Sequence, residues 1–258
     1  MISVIIPTYK FQDYLWDCLH ALERQTLKPE KFEVIIVLNG CKEPYMSLLQ
    51  EYVAFYSSIA KRIQIIQTDI AGVSNARNIG LDNMNGDYAF FLDDDDLLSS
   101  NYLESMLALA QKDVIVVSNV YSFYNSIDEK LVDYLTFGKV KYHSLFYNRS
   151  YLSNACCKLI SRQVIGKKRF DTNFCNGEDA LFMFSISDRI RHLVKTKENC
   201  IYYRRLRENS ASRKKRKPFK KAKDVFLQQV AYTRIYITGV FRYNLFIYLS
   251  RLLAVLKQ

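Results

Sequence analysis

Four consecutive aspartates, Asp93, Asp94, Asp95 and Asp96, directly follow the apolar run YAFFL at residues 88–92. Adjacent like charges repel, so holding them at the end of a buried strand calls for a compensating cation. Hard oxygen donors of this kind suit Mg²⁺ or Mn²⁺, with phosphate oxygens and water completing the shell. The competing reading is a solvated acidic turn that caps a helix starting near Ser99 or Ser100. A second element, GVSNARNIGL at residues 72–81, places Gly72 at a helix start and Arg77 about one turn inside. A helix amino terminus beside a guanidinium makes a diphosphate site, although an ordinary helix with a surface arginine has the same sequence. The third element is Asn176-Gly177-Glu178-Asp179, ahead of the apolar stretch ALFMFSI. Its two carboxylates could cap that helix, or one could act as a general base on an acceptor hydroxyl.

The elements that must position these residues are legible as periodicity. Strand-like runs occur at residues 3–6, 34–38, 63–66, 88–92 and 114–118, all apolar and rich in β-branched side chains. They lack in/out alternation, which predicts parallel strands covered on both faces. Amphipathic helical patterns near residues 12–25, 44–58, 73–84 and 100–111 separate them. Repeated strand–helix units predict an open α/β sheet, whose ligands bind beyond the carboxyl ends of the strands. The residues at those ends are Thr8 and Tyr9, Asn39 and Gly40, Thr68 and Asp69, and the four aspartates. On that ground the metal reading of the aspartates is preferred to the acidic turn.

Composition narrows the class. The 258 residues are 49% hydrophobic with only 8 Gly and 4 Pro, which excludes disorder and repeat-built folds. The chain carries 37 Lys/Arg and 26 Asp/Glu; residues 213–258 hold 12 of the bases and one acid, leaving 1–212 balanced at 25 of each. The net charge of +11 therefore belongs to a tail, and the rest is not a basic domain. Six cysteines without a CxxC pair and three scattered histidines argue for reduced thiols and against a zinc site. The opening MISVIIPTYK reads as a first strand, not an export signal, which places the protein in the cytoplasm.

The motifs SVIIPTYK, GVSNARNIGL, GDYAFFLDDDDLLS, NGEDALF and YYRRLRENSAS occur in this order along the chain. In these the chain resembles the family 2 glycosyltransferases, which are inverting, nucleotide-sugar-dependent enzymes. The resemblance covers residues 1–105 and, less fully, 155–212. It implies a GT-A-type fold: an open, mostly parallel sheet flanked by helices, here with a C-terminal basic helical tail. The implied organisation is a catalytic domain over 1–212, with a nucleotide-binding half (1–118) and an acceptor-binding half (119–212), followed by the tail at 213–258. By resemblance, Thr8, Tyr9 and Asn39 would contact the nucleotide, with Tyr9 stacking on the base. Arg77 would face the base or diphosphate, Asp93 and Asp94 the ribose and metal, and Asp95 would ligate Mn²⁺ or Mg²⁺. Asp179 matches the catalytic base beside Glu178, and Arg204, Arg207 and Ser210 fall where the family closes over diphosphate or acceptor. The implied donor is a UDP-sugar, and the implied acceptor a glycan or lipid-linked hydroxyl in cell-surface polysaccharide synthesis. One departure is Leu38-Asn39-Gly40-Cys41 after the second strand, where many members have an acidic pair.

The tail begins RKKRKPFKKAK, eight bases in eleven positions, and continues rich in Phe, Tyr, Leu and Ile. Such a segment can lie on an anionic membrane surface or pack against the domain. The apolar content argues against nucleic acid, held through phosphate contacts alone, as its partner, and the expected location is peripheral, on the inner face of the cell membrane. Two rival functions are weighed. A sugar nucleotidyltransferase would show a Gly-rich loop after the first strand, and Pro7-Thr8-Tyr9-Lys10 is not one. A non-catalytic membrane-associated binding protein would be expected to lack the aspartates or the Glu-Asp pair, and both are present.

Overall fold

The β-branched runs form the centre of a seven-stranded sheet. In the computed structural model, which describes residues 1–138, 144–207, 218–239 and 242–256, β1 (Ile2–Thr8), β2 (Phe32–Asn39), β3 (Ile63–Thr68) and β4 (Tyr88–Phe91) pair in parallel. Every residue of β1 is buried, as is nearly all of β2, because helices cover both faces. The strand order is β10-β6-β9-β4-β1-β2-β3. It adds β6 (Val114–Val117), β9 (Lys158–Ser161) and β10 (His192–Lys195), with β9 antiparallel to both neighbours. The expected mostly parallel α/β sheet is therefore present.

The chain runs outward from β1 through β2 and β3 on one side, and β4 lies on the other. This reversal opens a crevice at the carboxyl ends of β1, β2 and β4. The covering helices follow from spacing: α1 (Tyr14–Glu23) buries Leu15, Cys18, Leu19 and Leu22 on one face. Helices α2 (Tyr45–Phe55) and α3 (Val73–Asn83) follow β2 and β3. Gly72 caps α3 at φ 141°, a backbone that favours glycine.

A smaller second sheet stands at the mouth of the crevice. Its order is β5 (Leu97–Leu98), β11 (Ile201–Arg205), β7 (Asn119–Phe123) and β8 (Leu131–Val132). β11 pairs antiparallel with β5, which directly follows the acidic run, and so brings residues 204–207 beside the aspartates. The aromatic 119–154 region supplies β7, β8 and a short helical turn at Arg149–Ser153. Helices α4 (Tyr102–Ala108), α5 (Arg162–Ile165) and α6 (Glu178–Ile186) complete this part.

The tail's two helices, α7 (Pro218–Thr238) and α8 (Leu245–Val255), flank the expected break at Gly239 and pack on α6. Tyr232 and Tyr243 contact Phe184 at ring-centroid distances of 5.3 and 5.1 Å, and the Tyr243 hydroxyl donates to the Ser185 carbonyl at 2.9 Å. Their outer faces stay apolar: Phe226, Ile237, Phe246 and Leu253 are each more than 60% exposed. The most basic stretch, 213–217, lies outside the described residues. No described helix is long and apolar enough to cross a membrane.

Candidate active site

Three chain segments meet at the crevice through hydrogen bonds from Thr8 and Asn39. Thr8 Oγ1 donates to Asp94 Oδ2 at 2.6 Å, tying the end of β1 to the acidic run after β4. The Asn39 amide donates to the Thr8 carbonyl at 2.7 Å and accepts from the Gly72 N–H at 2.8 Å. Asn39 is 4% exposed and joins the ends of β1, β2 and the loop before α3. Gly40 follows at φ 70°, and a Cβ there would lie 2.5 Å from that of Ala71. Tyr9 stands half exposed beside this junction, with Lys10 Nζ 5.5 Å from its ring centroid. A solvent-facing ring at the crevice mouth is free to stack on a planar group.

Arg77 is 3% exposed and bridges two carboxylates. Its Nη1 donates to Asp179 Oδ1 at 2.6 Å and its Nη2 to Asp93 Oδ1 at 2.9 Å. The rings of Phe91 and Phe170 lie 6.0 and 5.5 Å from the guanidinium carbon. The cause is geometric: α3 packs on β1 and β2, so a residue one turn inside it points at the end of the sheet. Burial works against the charge, but Asp179 and Asp93 outweigh it and hold the guanidinium firmly protonated.

Glu178 and Asp179 open α6 after Gly177, which sits at φ 74°. No side chain caps this helix. Asp179 instead accepts from Arg77 and, through Oδ2, from the Ala155 backbone N–H at 3.0 Å. Each of its oxygens keeps a lone pair for a further donor. Burial, then the neighbouring Asp179, pushes the Glu178 carboxyl up to about 7, and one of its oxygens is buried without a partner.

The aspartates divide by function. Asp96 is 2% exposed and structural: it accepts from the Tyr202 hydroxyl at 2.6 Å and the Arg205 N–H at 2.8 Å, fastening β11 to the acidic run. Burial raises its carboxyl well above the ordinary range, and Asp95 adds to this. Asp94 is pushed to about 6 by burial, with the Thr8 hydrogen bond opposing and Asp93 adding. Asp95 is pushed to about 7 by burial and then by Asp93, against the pull of Arg207, whose Nε lies 2.5 Å from Asp95 Oδ2. Arg204 pairs with buried Asp133, and Ser210 lies outside the described residues. The site is thus an excess of buried negative charge that Arg77 and Arg207 compensate only in part.

Sequence reasoning overlooked several of these parts. The Ala155 N–H has no residue-type signal. Tyr202, Arg205 and Asp96 act through a pairing of two-residue β5 that periodicity does not show. Gln228 of α7 is 1% exposed and donates to the Asn176 carbonyl at 2.5 Å, bracing the loop before Glu178.

The crevice can be set beside known proteins. The family model described as Glycosyl transferase family 2 matches residues 3–167. The chain is 31% identical over 232 residues to Glycosyltransferase GlyA of Streptococcus pneumoniae serotype 4, covering 82% of this chain and 31% of that protein. It belongs to glycosyltransferase family 2. Minor teichoic acid biosynthesis protein GgaB of Bacillus subtilis is 26% identical over 216 residues, or 81% of this chain and 23% of that one. The chain therefore spans about a third or less of these relatives. S. aureus TarS 1–349, solved in complex with UDP-GlcNAc, superposes with a TM-score of 0.75 at 18% identity, over 91% of this chain and 66% of that one. The likeness establishes the GT-A architecture of this family 2 chain.

Proposed function

We propose that this family 2 chain is an inverting glycosyltransferase, moving a sugar from a UDP-sugar to a hydroxyl of a glycan or lipid-linked acceptor in cell-surface polysaccharide synthesis. The observation that carries this reading is the Arg77 bridge. It brings Asp179, a carboxylate from the second half of the chain, to the acidic end of β4. A proton acceptor thereby stands next to the place where a metal–diphosphate would sit. UDP-GlcNAc in the complex of TarS, a protein of the same fold, supports a uridine nucleotide as donor.

Asp179 would accept the proton of the acceptor hydroxyl as its oxygen attacks the anomeric carbon from the face opposite the leaving diphosphate. One displacement of this kind inverts the configuration and needs no nucleophile from the protein. Arg77 and the Ala155 N–H fix the carboxylate's orientation. Glu178, pushed to about 7, lowers the negative charge around it when protonated. Tyr9 would stack on the uracil.

The residues at the end of β4 suit a divalent cation. Among the described residues no three His, Cys, Asp or Glu side chains converge into a cage. Mg²⁺ and Mn²⁺ are commonly held by one or two carboxylates with substrate phosphates supplying the rest, and the raised Asp94 and Asp95 carboxyls mark where positive charge is wanted. Asp95, with Asp93, would hold the ion, which stabilises charge on the departing diphosphate. The apolar outer faces of α7 and α8, together with the basic run that the sequence carries at 213–223, support peripheral attachment to an anionic membrane surface from the cytoplasmic side.

A panel of nucleotide sugars, assayed by nucleotide release with Mn²⁺, tests the reading. UDP release above all other nucleotides is expected; release from none, or from a different nucleotide alone, removes the donor assignment.

A further inference from the structure

A second pair of arginines takes no part in the transfer chemistry. Arg251 of α8 is 6% exposed and, with Tyr147, Arg149, Ser150 and Ser250, lines an open pocket of about 300 Å³. Its Nη2 donates to the Arg149 carbonyl at 2.5 Å, and its Nε is buried without a hydrogen-bond partner. The ion pairs of the other arginines lie elsewhere, and among the described residues no carboxylate pairs with Arg149 or Arg251. Burial of a guanidinium without counter-charge is costly. Burial opposes the charge on Arg251, and Arg149 adds to the opposition. Arg149 is exposed, its Nη1 donating to the Phe146 carbonyl at 3.2 Å with donors to spare. Two guanidinium-bearing side chains from different elements on one pocket suit the several oxygens of a tetrahedral phosphoryl group better than the two of a planar carboxylate.

The pocket is placed to serve the reaction. A smaller cavity of about 180 Å³ shares Tyr147 and Ser150 with it and is lined also by Tyr134 and Lys195. The Tyr134 hydroxyl accepts from Asn154 Nδ2 at 3.0 Å, and the next residue, Ala155, holds Asp179. Arg149 and Ala155 are six residues apart, so their Cα atoms lie within about 22 Å. The smaller cavity adjoins the arginine pocket through Tyr147 and Ser150, and Tyr134 on its wall contacts the residue next to Ala155.

We infer that the Arg149–Arg251 pocket is a subsite for a phosphoryl group carried by the acceptor, holding one part of it while its hydroxyl reaches Asp179. The inference rests on the transferase reading for the acceptor, but the anion site itself does not. The first measurement is the thermal stability of the full chain in inorganic phosphate against chloride at equal ionic strength. Phosphate should raise the wild-type Tm, and Arg149→Gln and Arg251→Met should abolish that rise. Arg149 is exposed, so its variant stays informative if Arg251→Met fails to fold; UDP-GlcNAc binding by Arg149→Gln is the fold control. An absent wild-type shift, or an equal shift in Arg149→Gln, overturns the site. The second measurement separates two sources of phosphate. With a soluble polyol-phosphate oligomer as acceptor, Arg149→Gln should raise KM about tenfold or more with kcat held, as expected for one lost charged contact. If the variant instead loses binding to phosphatidylglycerol vesicles while the oligomer KM is unchanged, the site belongs to a lipid headgroup and the acceptor role is overturned. Should the wild type use no acceptor at all, the transferase reading fails, while the phosphate shift still decides the site.

Discussion

Asp95→Asn probes the acidic strand end with almost no change of shape. Asp95 is 8% exposed, and burial, then Asp93, lift its carboxyl from 3.8 to about 7. A displacement of about three units, at about 1.4 kcal/mol each, corresponds to roughly 4 kcal/mol. The adjacent aspartates share part of this, so about 2–4 kcal/mol is assigned to Asp95. The folded carboxyl binds its proton more tightly than the unfolded one. In the metal-free wild type the contribution of Asp95 to stability is therefore fully present below about pH 4 and is lost as pH rises through about 7. An asparagine has no proton to lose. At pH 8 without metal the variant should be the more stable protein, with a Tm higher by roughly 5–15 °C for a chain of this size. Mn²⁺ at about 100 times its Kd should then stabilise the wild type by about 2.7 kcal/mol and leave the variant unmoved. Differential scanning fluorimetry at pH 5 and 8, with chelator or with Mn²⁺, reads all four conditions. An equal Mn²⁺ shift in both proteins, or a variant less stable than wild type at pH 8 in chelator, would refute the reasoning.

Two further substitutions address the neighbouring charges. Arg77→Met leaves Asp93 and Asp179 without their shared cation and should cost about 3 kcal/mol, or roughly 6–12 °C in Tm. Arg77→Lys keeps the charge but not the fork, and should lose less stability while still losing transfer; wild-type turnover in either variant contradicts the bridge. Glu178→Gln removes a carboxyl whose folded pKa is raised from 4.5 to about 7. Urea unfolding should show wild-type stability falling by about 2–3 kcal/mol between pH 4.5 and 7 and a shallower fall in the variant; parallel curves would show that Glu178 is not the titrating group.

What the sequence disclosed and what it concealed have separate physical causes. The strands of the parallel sheet were legible because burial on both faces demands unbroken β-branched runs, as in Val34, Ile35, Ile36 and Val37. The aspartates, Gly72 and the Glu178-Asp179 pair were legible because charge repulsion and helix starts are local properties. Arg77 and Asn39 were singled out because their types recognise phosphates and bases, and type alone does not reveal the hydrogen bonds each makes within the chain. The second sheet was invisible because β5 and β8 have two residues each, too few to show alternation. In the tail, charge drew attention to the surface, while its contact with the rest of the protein depends on Gln228, Tyr232 and Tyr243, which periodicity does not distinguish from exposed neighbours.

The most direct test of the proposed chemistry separates donor binding from transfer in Asp179→Asn. Asparagine keeps the size and one acceptor oxygen but cannot take up the acceptor's proton. Calorimetry with Mn²⁺ and the nucleotide sugar selected by the release panel should give a Kd within a few-fold of wild type, while transfer to acceptor falls by at least a hundredfold, the scale of a lost general base. Transfer at the wild-type rate with donor binding intact would contradict the account.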